Sequence, residues 1–253
     1  MGPAELCQCS RSVRENGVHV PWAGGLVRTS TADILQVLRR VHDSVPSSVG
    51  VHLFGLARLK AIHQMADLGV TSADSASALR RAWLGDEDNY WTMLGAKFRA
   101  IRIPEADKSF RAKRIVSEGR ASAEHVHELE RSCLSCLRQF DAGTVTIGRA
   151  LDVIAGYDHL ITADRPEMLT QYRRTLEAKP WRVCPCEICR RDGIDVIIFR
   201  GNNRNRRRGF HNTYVFYRLL QRVLETGDAS FLSQDDDDTK PTPDGRQLEF
   251  KFG

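Results

Sequence analysis

Residues 51–75 read "VHLFGLARLKAIHQMADLGVTSADS", and the hydrophobic period changes twice along this run. The apolar residues that begin at Val49 predict a buried strand over 49–56. "ARLKAIHQMADLG" then sets Leu59, Ile62, Met65, Ala66 and Leu68 at helical spacing, with Gly69 as the stop. "VTSADS", 70–75, returns to strand. Upstream, "VHVPWAGG", 18–25, is another short apolar run, and it ends in a glycine pair. Ser30 and Thr31 offer caps for a helix whose apolar stripe is Ile34, Leu35, Val37, Leu38 and Val41. The order strand–helix–strand–helix–strand, with short connections, predicts an α/β fold on a parallel sheet.

Beyond "AIRIPEADKSFRAKR" the chain becomes charged and helical, through "HVHELERSCLSCLRQFD", "TIGRALDVIAGYDHLI" and "PEMLTQYRRTLEAKP". A cysteine-rich segment follows. After it come a short strand "IDVIIF", an arginine loop and a helix "HNTYVFYRLLQRVLETG". The expected organisation is a loose segment at 1–17, a catalytic α/β region at 18–107, a helical insertion at 108–180, a metal-binding module at 181–227 and a disordered tail at 228–253. The acidic run Asp235 to Asp238 falls in that tail and reads as solvated.

Apolar residues make up 42% of the 253, enough for a sizeable core, and no run is long and apolar enough to predict a transmembrane helix. The first residues lack the basic-then-apolar order of a signal peptide, so a cytoplasmic protein without a membrane partner is expected. Net charge is +5, and Arg200, Arg204, Arg206, Arg207 and Arg208 concentrate much of it. A polyanion is the partner such a cluster fits, with a solvated loop as the plainer reading.

Seven cysteines, an odd number, argue against a disulfide framework in such a chain. Cys184 and Cys186 are two apart, Cys189 is three further on, and His211 follows at a predicted helix start. Three thiolates and an imidazole form one of the standard structural zinc sets. Two alternatives stand beside this. The thiols are unrelated and His211 is a core or capping histidine, or Cys133 and Cys136 pair with His125 and His127. The segment around Cys133 reads as an amphipathic helix, where cysteine is a common core residue. Cys7 and Cys9 are a further, weaker pair.

Asp74 closes the strand at 70–75. In a βα fold that end of a strand displays catalytic groups, and the bland reading is a cap on the next helix. Three pieces, in order, resemble the C-terminal half of the tRNA-guanine transglycosylase superfamily. They are "AGGLV" (23–27), "VHLFGLARLKAIHQMADLGVTSADS" (51–75) and "CPCEIC…HN" (184–212). "GGLVR", "HLFGLAR", "SADSASALRRAW" and "NYWT" look closer to the branch that places 7-deazaguanines in DNA than to the bacterial tRNA enzymes. The resemblance implies part of a (βα)8 barrel, with Asp74 as the nucleophile and a structural Zn2+ on Cys184, Cys186, Cys189 and His211. It also implies a base-contacting strand at Gly24, Gly25 and Leu26, where lack of a Cβ permits close approach. Arg80 and Arg81 are candidate phosphate contacts, with a solvated helix start as the alternative.

The activity implied is exchange of guanine in nucleic acid, DNA in preference to tRNA, for a 7-deazaguanine base through a covalent aspartyl intermediate. A complete barrel takes about 200 residues or more. The resembling region covers roughly 20–105 and 181–225, and the family's earlier βα units, with their general acid/base, have no counterpart here. The expectation is therefore a C-terminal half, from a truncated or a split enzyme, with a second chain supplying the missing half or a homodimer as the partner. The alternatives are a non-catalytic zinc-containing nucleic-acid-binding or partner subunit, and an unrelated βα enzyme with a structural zinc.

Overall fold

Strand β1 (Trp22–Ala23) pairs in parallel with β2 (Val51–Leu53), and β2 pairs in parallel with β3 (Val70–Ala73), so the sheet runs in chain order with β2 central. These strands belong to a computed structural model that describes residues 22–23, 29–84, 87–162 and 166–232. The expected segment 1–17 lies outside those residues, as do residues 233–253 of the expected tail 228–253, including the acidic run. So do the glycine pair, Cys7 and Cys9. Within 228–232, Leu232 is buried and Phe231 meets Arg222. The chain divides into two units, Met1–Ala76 with Leu220–Gly253, and Ser77–Leu219.

In the first unit, helix α1 (Thr31–Ser44) starts at Ser30, whose Oγ accepts the Asp33 amide. That bond satisfies one of the donors a helix start leaves unpaired. Ile34, Leu35, Leu38 and Val41 are buried with Val51, Leu53, Leu56, Ala61 and Met65. Each of these side chains larger than alanine contributes about 1.5–3 kcal/mol through burial, which anchors helix to strand. The second helix departs from expectation. It opens as a 3-10 turn (Leu59–Ala61) before α2 (Ile62–Asp67), and Ala66 is exposed. A 3-10 turn has three residues per turn, so it rotates the apolar stripe away from α-helical spacing. Gly69 ends the segment at φ +85°, as a C-terminal glycine stop requires.

The second unit is mostly helical. Its helices are α3 (Ser77–Leu84), α4 (Phe110–Ser117), α5 (Ala123–Asp141), α6 (Ile147–Thr162), α7 (Pro166–Ala178), α8 (Pro180–Val183) and α9 (Glu187–Asp192). A hairpin of β4 (Tyr90–Trp91) and β5 (Lys97–Phe98) precedes β6 (Ile101–Arg102), which pairs in parallel with β7 (Ile198–Phe199). Helix α10 (Asn202–Thr226) lends this unit its residues up to Leu219. One core runs through Ile103, Leu137, Ile154, Tyr157, Leu176, Trp181, Cys189 and Ile197. The helices of 108–180 and the cysteine segment therefore share a single interior.

Two expectations are corrected here. "IDVIIF" is largely a 3-10 turn (Gly193–Ile197), and only Ile198–Phe199 is strand. The arginine run is not a loop, because α10 begins at Asn202 and contains it. Arginine is a good helix former, and the run continues a face that packs inward at Arg208, Gly209, His211, Asn212, Val215 and Leu219. Gly209 is required there. A Cβ would lie 2.9 Å from Leu79 Cδ1 and 3.0 Å from the Leu79 carbonyl oxygen.

Candidate functional site

Asp74 follows β3 directly. Its amide donates to the Leu53 carbonyl at 3.1 Å, which continues the sheet by one residue. Its carboxylate accepts the amide of Gly55, which lies just past the end of β2. Gly55 has φ +69°, a left-handed conformation that costs a side-chain-bearing residue about 1–2 kcal/mol. The carboxylate is thus fixed by the backbone at the C-terminal ends of two neighbouring parallel strands, and it is exposed. The residue before α3 is Ala76, so Asp74 does not occupy the cap position. On the strands below, His52 Nδ1 meets Ser72 Oγ at 2.8 Å and the His52 ring stands edge-on to Phe54, ring centres 4.4 Å apart.

In the second unit Cys184, Cys186, Cys189 and His211 converge, with all four ligand atoms within 4.8 Å of one another. The sulfurs lie 3.6, 3.4 and 3.4 Å from His211 Nδ1. A tetrahedral ion with Zn–S of about 2.3 Å and Zn–N of about 2.05 Å has an S···N edge of roughly 3.5 Å. The donor set and its spacing fit such an ion, zinc included. Cys133 and Cys136 do not join a metal cluster among the described residues. Both are buried on α5, and the Cys133 thiol faces the Val153 carbonyl at 3.4 Å. Burial pushes that thiol up to about 12.

The chain around the cluster is braced from several sides. Asp141, at the end of α5, accepts from Trp181 Nε1 at 2.9 Å, Arg182 Nε at 2.7 Å and the Ile194 amide at 3.1 Å. One carboxylate thus clamps both ends of the cysteine segment. Cys186 also caps α9, accepting the Cys189 amide. His211 is fully buried, and its Nε2 lies 2.9 Å from the Trp91 carbonyl. A carbonyl only accepts, so Nε2 carries the hydrogen and Nδ1 is left as the ligand.

Electrostatics in the cluster favour a cation. Burial alone would depress His211, but the sulfurs of Cys184 and Cys186 outweigh it and hold its pKa up at about 9. Hydrogen bonding with Cys184 and Cys189 pulls Cys186 down, while Cys184 and Cys186 push Cys189 up. A metal ion removes this conflict, because it lets all three sulfurs ionise together.

The sequence reading overlooked two contributors. Gly55 is one, and its signal was a glycine two residues beyond the strand in "HLFG". Tyr90 is the other. It lies flat on the His211 ring at 4.1 Å, and its hydroxyl meets Cys189 Sγ at 3.2 Å. Burial, and then Cys189, push the phenol far up, so it keeps its proton and can donate it to the thiolate that a metal would make of Cys189. Tyr90→Phe is expected to weaken metal affinity by about tenfold while keeping the ring stack. Competition with a chromophoric chelator measures it, and unchanged affinity would remove Tyr90 from the site.

The predicted arginines divide. Arg208 is buried and donates to the carbonyls of Val196, Ile198 and Ala82 and to Asn205 Oδ1. Burial lowers its pKa to about 9, which leaves it charged at neutral pH. Arg200 pairs with Glu130 and Glu105, Arg204 with Asp195, and Arg207 with Asp192. Arg206 is exposed and has no carboxylate partner among the described residues. On α3, Arg80 is exposed and Arg81 half-buried. Gly24, Gly25 and Leu26 lie outside the described residues.

No helix among the described residues is long and apolar enough to cross a membrane. No protein-family model matches the chain. A curated protein named DNA-guanine transglycosylase, from Salmonella montevideo, is 37% identical over 203 residues, 79% of this chain and 49% of that protein. The chain spans about half the length of that relative. At 37% identity over 79% of its length, the chain belongs to the tRNA-guanine transglycosylase superfamily, in the branch of the DNA-guanine transglycosylase.

Proposed function

We propose that the chain is the C-terminal part of a transglycosylase that exchanges guanine in DNA for a 7-deazaguanine, with Asp74 as the nucleophile. The observation that carries this is the exposed Asp74 carboxylate, held by the Gly55 amide at the ends of β2 and β3. In open or closed βα sheets that edge is where reacting groups are displayed. The three parallel strands are read as consecutive strands of a (βα)8 barrel.

The chemistry follows from the group. A carboxylate oxygen attacks C1′ on the face opposite the base, the C1′–N9 bond breaks, and its electron pair leaves with guanine, which takes up a proton. The N9 of a deprotonated 7-deazaguanine then attacks C1′ and returns the carboxylate. The target base must leave its stack for either step. Gly24, Gly25 and Leu26 are assigned to the base, and Arg80 and Arg81 to phosphates. Zinc is assigned to the Cys184, Cys186, Cys189 and His211 cluster, where four protein ligands leave no open position, so its contribution is structural.

The test is incorporation of labelled guanine into DNA and, separately, into tRNA. It is run with the chain alone and with the unmatched portion of the Salmonella relative added. Incorporation into DNA is expected. Incorporation into tRNA alone overturns the substrate, and none under any condition favours the non-catalytic binding subunit.

A further inference from the structure

Helix α10 has a second face. At 100° per residue, Arg206, Phe210, Thr213 and Tyr217 fall within about 60° of arc, opposite the buried positions Arg208, Val215 and Leu219. All four are exposed, Phe210 at 60% and Tyr217 at 55%. The row extends about 16 Å along the helix. Its apolar members are aromatic, and the helix that carries them is basic, with Arg206 exposed in the row and Arg218 exposed beside it. Between Asn202 and Thr226 there are six arginines and a single carboxylate, Glu225.

We propose that this face is a stacking platform for unpaired DNA, with Phe210 and Tyr217, about 10 Å apart along the helix, beneath bases roughly three nucleotides apart and Arg206 on the backbone. The assignment rests on the transglycosylase reading for its choice of DNA. Three observations favour it. Aromatic rings interleaved with guanidinium groups are the surface that binds single strands, because every base offers a π-face. The length suits roughly five stacked nucleotides at about 3.4 Å each. The helix is also held rigidly. On its inner side Asn212 donates to the Ala78 and Asn89 carbonyls and accepts the Trp91 amide, and Arg208 reaches the Ala82 carbonyl. A second copy of the chain fits less well. A two-fold contact through this face would set one arginine-rich helix against another. The proposal also narrows the arginine cluster to Arg206, the member that is exposed and has no carboxylate partner among the described residues.

The test is equilibrium binding of the full, metal-loaded chain to a fluorescein-labelled, mixed-sequence single strand of DNA, about 16 nucleotides long. Phe210→Ala and Tyr217→Ala are each expected to weaken binding by about tenfold. Arg206→Gln is expected to reduce the slope of log affinity against log salt by about one. Phe210→Tyr with Tyr217→Phe retains both rings and is expected to restore binding. Crosslinking to an oligonucleotide bearing 5-iododeoxyuridine gives a readout free of any variant, and the adduct is expected on Phe210 or Tyr217. Wild-type affinity in the double alanine variant overturns the proposal, as do crosslinks confined to other residues. So does a variant that changes only the oligomeric state in sedimentation, or one that loses RNA binding while DNA binding persists. Binding and base exchange are separate readouts. Loss of binding on mutation, with no exchange either in the chain alone or with the remainder of the Salmonella relative added, leaves the platform standing and sinks the catalytic reading, and the converse result does the reverse.

Discussion

Asp74→Asn is expected to abolish base exchange, with a rate loss of about 10⁴-fold or more, and to leave the fold and metal content unchanged. Asparagine matches aspartate in size and keeps an oxygen that can accept the Gly55 amide. What it loses is the anionic oxygen that bonds to C1′. Asp74 is exposed, so a surface-level change within about 0.5 kcal/mol in stability is expected. Asp74→Glu separates charge from position. It restores a carboxylate but displaces it by one methylene from the place the Gly55 amide defines, and a loss of about 10²-fold is expected. The readouts are guanine incorporation and a covalent protein–DNA adduct that survives denaturing electrophoresis. The wild type should form the adduct when the incoming base is withheld, and Asp74→Asn should not. Exchange that survives in Asp74→Asn, with circular dichroism unchanged, would place the nucleophile elsewhere.

How much of this was legible beforehand differs by element. The parallel sheet was readable, because α1 and β2 each bury side chains at their own period and Gly69 marks the boundary before β3. The metal cluster was readable because three ligands sit close in sequence and the fourth is the chemically suitable residue nearby. The arginine helix was not. Its inward positions include Arg208, Asn212 and His211, polar residues that break an apolar stripe, so the period is visible only once their partners are known. Ala66 was misplaced for a local reason, since a 3-10 turn cannot be told from an α-turn by composition. The interior shared by α5 and the cysteine segment was illegible for a global one. The Asp141 carboxylate meets the Ile194 amide across 53 residues of chain, and no window spans such a contact. Tyr90 was hidden likewise, as its partner Cys189 is 99 residues away.

Cys186→Ser is expected to produce the largest change in stability of any single substitution in the second unit. Cys186 is buried, and its sulfur has two roles, one toward the cluster and one as cap on α9 through the Cys189 amide. Serine is a good N-cap, so the helix start is preserved and the ligand alone is removed. Structural zinc contributes on the order of 10–16 kcal/mol in small zinc modules, where the metal is most of the core. Here the cluster sits inside a core it shares with α5, α6 and α7, so part of the unit has apolar burial to fall back on. The expected result is a fall from one metal ion per chain to almost none, with loss of the α8–α9 region and a lowered Tm. Chelation of the wild type should give the same state. Cys133→Ser is the control, being a buried thiol on α5 outside the cluster, and it should keep its metal. Metal retained in Cys186→Ser would overturn the ligand set. Metal lost with the melting curve unchanged would overturn the structural role instead, because a closed site that does not hold the fold together has no purpose that its geometry explains.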